Sequence, residues 1–176
     1  MNLWHDLEPG DNNKINVIVE LPAGSKNKYE IDKTTGLIAL DRTTYTTQAF
    51  PFDYGFIPQT LWDDNDPVDV ILLTTFPLLP GILVRARPVA VMHMTDDSEP
   101  DDKVIAVPVG DPRWEKTADL KDLNAHTIKE MEHFYSTYKK LQNKEVRVTG
   151  FEGRAAADQM FERGKKLYTD KYLPKK

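Results

Sequence analysis

The sequence predicts a mainly β fold with flanking helices (α+β), in which a small closed β-barrel carries helices packed on its outside. Many short runs rich in β-branched and aromatic residues follow one another, each bounded by proline or glycine turns. No helical pattern separates these runs, and helical periodicity is concentrated after residue 124. Short strands in unbroken succession are typical of small barrels, so the helices are expected to pack outside.

The strand candidates begin after an N-terminal arm. Residues 1–14 are polar, contain Pro9-Gly10 and are expected to be irregular. A turn at Thr34-Thr35-Gly36 predicts a hairpin. Runs rich in β-branched and aromatic residues predict strands at 15–21, 28–31, 37–40, 54–58, 68–73, 82–91, 103–107 and 144–151.

Two helices are predicted near the C-terminal end. Asn124 can cap the first helix, and the second fits residues 154–167. Apolar side chains recur with the helical period in both segments. They are Ile128, Met131, Phe134, Tyr135, Tyr138 and Leu141 in the first, and Ala157, Met160, Phe161, Gly164 and Leu167 in the second.

Length and composition limit the class of protein. A chain of 176 residues is long enough for one domain spanning 1–176 with a full hydrophobic core. A net charge of −5 argues against a general nucleic-acid or membrane surface. The absence of cysteine excludes disulfides, zinc–thiolate sites and thiol nucleophiles. The N-terminal residues lack the basic region and apolar core of a signal peptide, and no apolar run reaches the ~20 residues of a membrane span, so a cytoplasmic protein is expected.

An acidic segment at 63–69 stands out because four of its seven residues are aspartates. Like charges this close repel, and the apolar run 70–73 that follows gives no packing reason for them. Asp64 and Asp66 lie two apart, so in an extended segment they point the same way, and Pro67 keeps Asp66 out of a helix. Closely spaced carboxylates suit Mg²⁺, Mn²⁺ or Ca²⁺. A divalent-cation site is predicted, with a solvated acidic turn as the alternative.

A second acidic cluster lies at 96–102 and has five carboxylates in seven residues. Alone it would indicate a solvated turn, but beside the first cluster it is predicted to supply the opposite wall of one metal site. Metal ions among carboxylates recruit polyanions, whose oxygens cationic side chains then hold. This combination predicts phosphate chemistry. The candidate anion-binding residues are Lys28, Arg42, Tyr54, Lys103, Tyr138 and Lys139.

These motifs together resemble the family I soluble inorganic pyrophosphatases, particularly prokaryotic, archaeal-like members. Asp64-Asn65-Asp66-Pro67-Val68-Asp69 is similar to the family's D-x-D-P-x-D signature. Further blocks occur in the family's order over roughly residues 15–165. They lie at 20–22, 28–33, 36, 41–42, 51–58, 87–89, 94–96, 101–103, 106–108, 133–135 and 138–139.

The resemblance implies an OB-like, five-stranded closed barrel, usually assembled as a homohexamer in prokaryotes. It implies hydrolysis of inorganic pyrophosphate to two orthophosphates by metal-activated water, with several Mg²⁺ ions per site and Mn²⁺ or other divalent ions as alternatives. By position, Asp66 would be the general base. The six cationic and phenolic side chains would hold the two phosphoryl groups.

The resemblance to this family also implies a set of metal ligands. Asp64, Asp69 and Asp101 would hold the tightest ion, and Asp69 would bridge to a second. Asp96 and Asp101 would serve a further ion that arrives with the substrate. Two glutamates would act mainly through water in the outer shell; they are Glu20 and Glu30.

The sequence departs from the family pattern at two positions, and two other functions stay open. Phe50 stands where tyrosine is frequent and Asp97 where glutamate is common, and neither position belongs to the tight metal site. A non-catalytic OB-type binding module would need a basic groove with exposed aromatic side chains. A metal-dependent hydrolase of nucleoside di- or triphosphates is the other alternative, although no base-recognition element is visible.

Overall fold

The computed structural model describes residues 1–173 and has ten strands and two α-helices within that range. The strands are β1 (Gly10–Asp11), β2 (Lys14–Leu21), β3 (Asn27–Ile31), β4 (Ile38–Thr43), β5 (Asp53–Phe56), β6 (Asp69–Leu72), β7 (Leu83–Asp96), β8 (Glu99–Pro100), β9 (Lys103–Pro108) and β10 (Val146–Gly153). The helices are α1 (Ala125–Thr137) and α2 (Arg154–Tyr172), with short 3₁₀ helices at Pro112–Trp114, Leu120–Asp122 and Lys140–Gln142. Neither α-helix of this described range has the length and apolar character that crossing a bilayer requires.

Five strands pair in a ring. β2 pairs with β5 and β5 with β6, both antiparallel, and β6 pairs with β9 in parallel. Antiparallel pairings of β9 with β7 and of β7 with β2 complete the ring. β10 pairs antiparallel with the second half of β7, while β3 and β4 form a separate hairpin. The five-stranded ring with two C-terminal helices confirms the predicted mainly β architecture.

The longest strand, β7, pairs with four strands along its length. It pairs first with β2, then with β9 and β10, and at its end with the short strand β8. Its register against β9 shifts between Pro88 and Ala90, where the proline has no N–H to donate. The sequence predicts that this strand ends at residue 91, but pairing of Val146 with Asp96 prolongs it. The second acidic cluster therefore begins inside a strand.

Both faces of β6 are buried, which explains the uninterrupted apolar run after the first acidic segment. Val70 belongs to the cluster that contains Phe161 of α2. Its neighbour Ile71 points the other way, into the cluster that contains Phe134 of α1. The two helices thus cover opposite faces of the same strand.

The N-terminal arm is more tightly packed than its polar sequence predicts. Trp4 is only 1% exposed, and its indole Nε1 donates to the carbonyl of Thr60 at 2.9 Å. The ring of His5 stacks on Trp4, and the imidazole is hydrogen-bonded to the hydroxyl of Tyr168. Residues 1–9 contain only turns and bends, as expected of an irregular arm, and one large aromatic side chain anchors them to the body of the fold.

The predicted ends of the helices need correction. Leu141, predicted on the apolar face of the first helix, is 67% exposed because α1 ends at Thr137 and a 3₁₀ turn follows. Asn143, with a φ of 54°, reverses the chain there. The second helix continues past residue 167 to Tyr172, where its aromatic ring packs on Trp4.

Candidate active site

A cavity of about 240 Å³ collects acidic and basic side chains from distant parts of the chain. Twelve of the thirteen site candidates line it: Glu20, Lys28, Glu30, Tyr54, Asp64, Asp66, Asp69, Asp96, Asp101, Lys103, Tyr138 and Lys139. Arg42 does not belong to the lining and pairs with Asp41 instead. The structure thus brings the candidates together, and the role of each stays a prediction.

The ring and its hairpin position these side chains. The end of β2 supplies Glu20, which is 4% exposed and accepts a hydrogen bond from the amide of Ile31 at 2.8 Å. That bond ties the β3–β4 hairpin to the ring, so residues of β3 also reach the cavity. Asp69 begins β6 and Lys103 begins the parallel neighbour β9, and the starts of parallel strands lie at the same edge of a sheet.

Lys103 is the buried centre of the cavity, with 3% of its surface exposed. Its Nζ donates to Asp69 Oδ2 and to Asp101 Oδ1, each at 2.8 Å. The hydroxyl of Tyr54 donates to the same oxygen of Asp69, and the Lys103 ammonium lies 5.4 Å from the centre of the Tyr54 ring. One ammonium group and one phenol therefore neutralise and orient two carboxylates, one at the start of β6 and the other in the loop just before β9.

The pKa shifts in this cluster follow from burial and charge. Burial lowers the pKa of Lys103, but the adjacent carboxylates of Asp101 and Asp69 outweigh burial and raise it above its usual value. Burial, and then the charge of Asp69, raise the pKa of Tyr54 well above its usual range, so it stays a hydrogen-bond donor. Burial raises the pKa of Glu20, with a further contribution from Asp69. The cavity thus has more negative charge than its cations fully compensate.

The first acidic segment forms a tight turn. Asn65 has a φ of 67°, in the left-handed region, and Asp64 Oδ1 accepts from the Asp66 amide at 2.9 Å. The amide of Trp62 donates to the carbonyl of Asp66 at 2.7 Å. Loss of solvent around its carboxyl group, followed by the charges of nearby aspartates, raises the pKa of Asp64 to about 6 even though part of its side chain is exposed. This turn thus combines crowded carboxylates with exposure to solvent.

Lysines pair with the other carboxylates of the cavity. Lys139 pairs with Asp96, and Lys28 pairs with Glu30. Asp96 Oδ1 is buried without a hydrogen-bond partner. Burial lowers the pKa of Lys139, and Arg42 contributes in the same direction, so Arg42 acts on the cavity by its charge without lining it.

The chemistry of the lining fits hard divalent cations. Seven carboxylates face four lysines, all possible ligands are oxygen atoms, and the buried Asp96 Oδ1 lacks a partner. Within residues 1–173, however, no three carboxylate or imidazole side chains are close enough to hold one ion as they stand. Lys103 lies between Asp69 and Asp101. A shared ion on Asp64, Asp69 and Asp101 therefore requires these side chains to rearrange.

The cavity also contains residues that the sequence did not single out as site candidates. Tyr135 lines it from α1, three residues before Tyr138, the residue that caps the end of that helix, and this spacing could have revealed it. Lys33 lines it from the hairpin turn and pairs with Asp66. No local pattern distinguishes Lys33 from an ordinary surface lysine, so only the folded contact identifies it.

The two departures from the family pattern have different surroundings. Phe50 is 3% exposed, and its ring lies 5.1 Å from that of Phe134 and 6.1 Å from that of Tyr138. An aromatic cluster therefore accommodates the lack of a hydroxyl group there. Asp97 lies outside this cavity, in a left-handed turn, and pairs with Lys144 at 3.6 Å.

Comparison with known proteins identifies one family. The family model described as "Inorganic pyrophosphatase" matches residues 17–169. An inorganic pyrophosphatase of Haloferax volcanii is 46% identical over 175 residues, covering 98% of this chain and 99% of its own length. Soluble inorganic pyrophosphatase 1 of Arabidopsis thaliana is 45% identical over 172 residues, covering 97% of this chain and 81% of its own.

Solved structures agree with the sequence comparison. The crystal structure of an inorganic pyrophosphatase from Thermus thermophilus superimposes with a TM-score of 0.92 and 40% identity, over 96% of this chain and 99% of that one. The inorganic pyrophosphatase from Helicobacter pylori gives a TM-score of 0.90 and 40% identity, over 93% and 99% of the two chains. The similarity thus extends over nearly the whole length of both proteins.

Proposed function

The chain belongs to the inorganic pyrophosphatase family, and on that basis we propose that it hydrolyses inorganic pyrophosphate to two orthophosphates in a Mg²⁺-dependent reaction, as one domain spanning 1–176. Membership makes it a hydrolase of the inorganic diphosphatase class. The observation that carries the proposal is the cavity centred on Lys103, where oxygen ligands for hard cations and ammonium donors for phosphate oxygens line one small space.

The size of the cavity supports a small anion as substrate. Its volume of about 240 Å³ lies below the ~300–1,000 Å³ typical of sites for drug-sized ligands. Pyrophosphate is small enough for such a space, whereas a nucleotide would place its base and ribose outside it. This favours pyrophosphate over the nucleoside di- or triphosphates considered as an alternative.

The carboxylates would hold the metal in the arrangement that the family resemblance implies. Asp64, Asp69 and Asp101 would hold the tightest ion, and Asp69 would also be a ligand of a second. Asp96 and Asp101 would be ligands of an ion that arrives with substrate. Bound Mg²⁺ supplies neutralisation of the pyrophosphate charge and a more acidic water. Other divalent ions, Mn²⁺ among them, are expected to replace Mg²⁺ in part. Glu20 and Glu30 would contact the metal ions mainly through water.

The cations and phenols of the cavity would bind the two phosphoryl groups. Lys28, Lys103 and Lys139 donate from separate strands and loops, and a cation at developing charge typically contributes on the order of 10²–10³ in rate. Tyr54 and Tyr138 are held protonated by burial and can donate hydrogen bonds to the same oxygens. Arg42 is expected to reach the substrate from the hairpin strand beside Lys28.

Asp66 is proposed as the general base that accepts a proton from the attacking water. Its carboxylate is half-exposed and lines the cavity, so both water and substrate can reach it. Two features hold the backbone at Asp66: the adjacent Pro67, and the hydrogen bond that the Asp66 amide donates to Asp64. A base must lie within hydrogen-bond reach of the proton that it accepts, which a fixed backbone favours.

Phosphate release from pyrophosphate, with Mg²⁺ and after chelation, tests the proposal. Rapid release that requires Mg²⁺ is expected. ATP offered under the same conditions distinguishes the nucleotide hydrolase, and the absence of turnover with any phosphoanhydride would favour the non-catalytic binding module. Substituting Mn²⁺ for Mg²⁺ measures the metal preference directly.

The protein is further proposed to assemble as a homohexamer. A second cavity of about 720 Å³ lies away from the first and is bordered by exposed apolar side chains, including Phe76 at 69% and Leu83 at 43% exposed. Exposed apolar surface of this kind is typical of protein contacts. Light scattering during gel filtration tests the assembly.

The cytoplasmic location stays a prediction, which fractionation of the source cells can test.

A further inference from the structure

The hairpin turn between β3 and β4 delivers Lys33 to the candidate base. Lys33 forms an ion pair with Asp66, and its Nζ donates to the carbonyl of Asn65 at 3.3 Å. Lys33 is the one charged side chain within residues 1–173 that pairs with the Asp66 carboxylate. The hairpin thereby contacts the acidic turn at the residue proposed to move a proton.

The hairpin turn that carries Lys33 is internally organised. Asp32 Oδ1 accepts hydrogen bonds from the amides of Thr34 and Thr35 at 3.1 and 2.6 Å. Gly36 has a φ of 72°, and a Cβ there would lie 2.6 Å from Cα of Asn2, so the turn also packs closely on the N-terminal arm. The backbone of Lys33 is therefore held before any substrate binds.

The acidic turn is held on its backbone but not at the Asp66 carboxylate. Asp64 and Trp62 hydrogen-bond the amide and the carbonyl of Asp66. Lys171 of α2 donates to the side chain of Asn65 at 3.0 Å. These contacts fix the course of the chain, and they leave the orientation of the Asp66 carboxylate to Lys33.

The solvent exposure of the Lys33–Asp66 ion pair indicates that the pair matters more for the position of the Asp66 carboxylate than for the stability of the fold. The side chains of Lys33 and Asp66 are 48% and 47% exposed. Ion pairs this accessible to solvent contribute little to folding. A contact that adds little stability but controls the direction of a proton acceptor is expected to matter chiefly for turnover.

We propose that Lys33 is a positioning residue that orients the Asp66 carboxylate toward the attacking water. This inference rests on the proposed function, because it assigns Lys33 a task only if Asp66 accepts a proton. Lys33 does not itself take part in bond making, and its effect runs through Asp66.

Three variants of the full-length protein test this role with Mg²⁺ present. Lys33→Met is expected to lower kcat about 10- to 100-fold while KM for pyrophosphate stays within about two-fold, the result of a misplaced catalytic group. Lys33→Arg, which keeps the charge and the reach, is expected to recover most of kcat. Lys171→Met is the matched control, because it removes a lysine of α2 that contacts the same turn at Asn65 without touching Asp66, and both constants should stay near those of the wild type.

A double-mutant cycle locates the effect. In an Asp66→Asn background, Lys33→Met should change kcat by less than about two-fold, since a residue that acts through Asp66 has nothing left to orient. A full loss in that background would mean that Lys33 acts on the substrate directly and would overturn the inference. So would an unchanged kcat in Lys33→Met, a change in KM alone, or an equal loss in Lys171→Met.

Failure of the inference differs from failure of the proposed function. If the wild-type protein releases no phosphate from pyrophosphate, the proposed function fails, and the role of Lys33 fails with it. If the wild type turns over pyrophosphate and Lys33→Met matches it, only the role of Lys33 is lost. Thermal unfolding of each variant shows whether a fall in kcat reflects loss of folded protein.

Discussion

The ammonium of Lys103 lies 2.8 Å from Asp69 Oδ2 and 2.8 Å from Asp101 Oδ1, and it is buried between them. One cation therefore compensates two carboxylates at the positions expected to hold the tightest metal. The contact connects two parallel strands, β6 and β9, at the edge where the cavity opens. The charge balance of the whole site depends on this cation.

Removing Lys103 should destabilise the metal-free protein strongly. Lys103→Met leaves two partly buried carboxylates, 22% and 20% exposed, without their counter-ion. Breaking a fully buried pair costs about 3–5 kcal/mol, so a loss near the lower end of that range is expected. Mg²⁺ should recover part of the loss, because an ion that binds only the folded state stabilises it. The measurement is urea unfolding with EDTA and with Mg²⁺, and Lys116→Met, at an exposed position, is the control. An equal loss under both conditions would count against metal binding beside Lys103.

Asp66→Asn should abolish most turnover while metal binding survives. The amide keeps the size of the side chain but cannot accept the proton, so kcat is expected to fall about 10²- to 10⁴-fold. Titration calorimetry with Mg²⁺ should match the wild type. Asp63→Asn is the matched control, since Asp63 accepts from Arg163 at 2.6 and 3.0 Å and does not line the cavity. Wild-type kcat in Asp66→Asn would exclude Asp66 as the base.

The metal-free protein should lose stability as the pH rises from about 4 toward 6. The pKa of Asp64 is about 6 in the folded protein, against an ordinary value near 3.8. Between these values the folded state binds more protons than the unfolded state, so the free energy of unfolding falls as the pH rises. Solvent exposure of Asp64 keeps the effect small.

The variant Asp64→Asn checks this pH dependence. Without the titrating group, the decline in stability between pH 4 and 6 should be shallower than in the wild type, as measured by urea unfolding in EDTA. With Mg²⁺ the wild type should gain stability at pH 7 and the variant should gain less. An identical pH slope in both proteins would show that Asp64 does not carry the raised pKa.

Gly164→Ala should destabilise the protein although alanine is the better helix former. A Cβ at position 164 would lie 2.6 Å from Cγ2 of the buried Val68 and 3.3 Å from Cβ of Thr60. Helix propensity favours alanine by about 1 kcal/mol, but overpacking costs about 1–3 kcal/mol, so a net loss of roughly 1 kcal/mol is expected from urea unfolding.

A double-mutant cycle tests the cause of that loss. Val68→Ala opens the space that the new methyl group needs, so Gly164→Ala should cost less in the Val68→Ala background than in the wild type. Gly110→Ala is the control, because a Cβ there meets nothing within 4 Å. Additive effects of the two substitutions would contradict the close contact between α2 and the segment that follows Pro67.

Local patterns predicted the strands and the acidic site, while the features that these patterns missed depend on contacts between residues distant in the sequence. The run from 68 to 73 predicted β6 because all its residues except Asp69 are β-branched or leucine, and both faces of the strand are buried in the structure. Glycine at 164 is unfavourable for a helix by local propensity, which does not register the closeness of Val68 in the folded protein. Trp4 offered no local signal for its burial, which depends on a bond to Thr60, 56 residues later.

The sequence by itself determined the order of the strands, the family and the residue types that line the cavity. The strands follow from periodicity and turn residues and the acidic site from carboxylate spacing, which are local properties of the chain, whereas the family was implied by the resemblance of its ordered sequence blocks. Only the tertiary structure decided which lysine pairs with which carboxylate, that Lys33 contacts Asp66, and that Arg42 stays off the cavity lining. Such pairings depend on the ring closing and on the hairpin packing against it, so residues distant in the sequence, as Lys33 and Asp66 are, come within hydrogen-bond distance only in the folded protein.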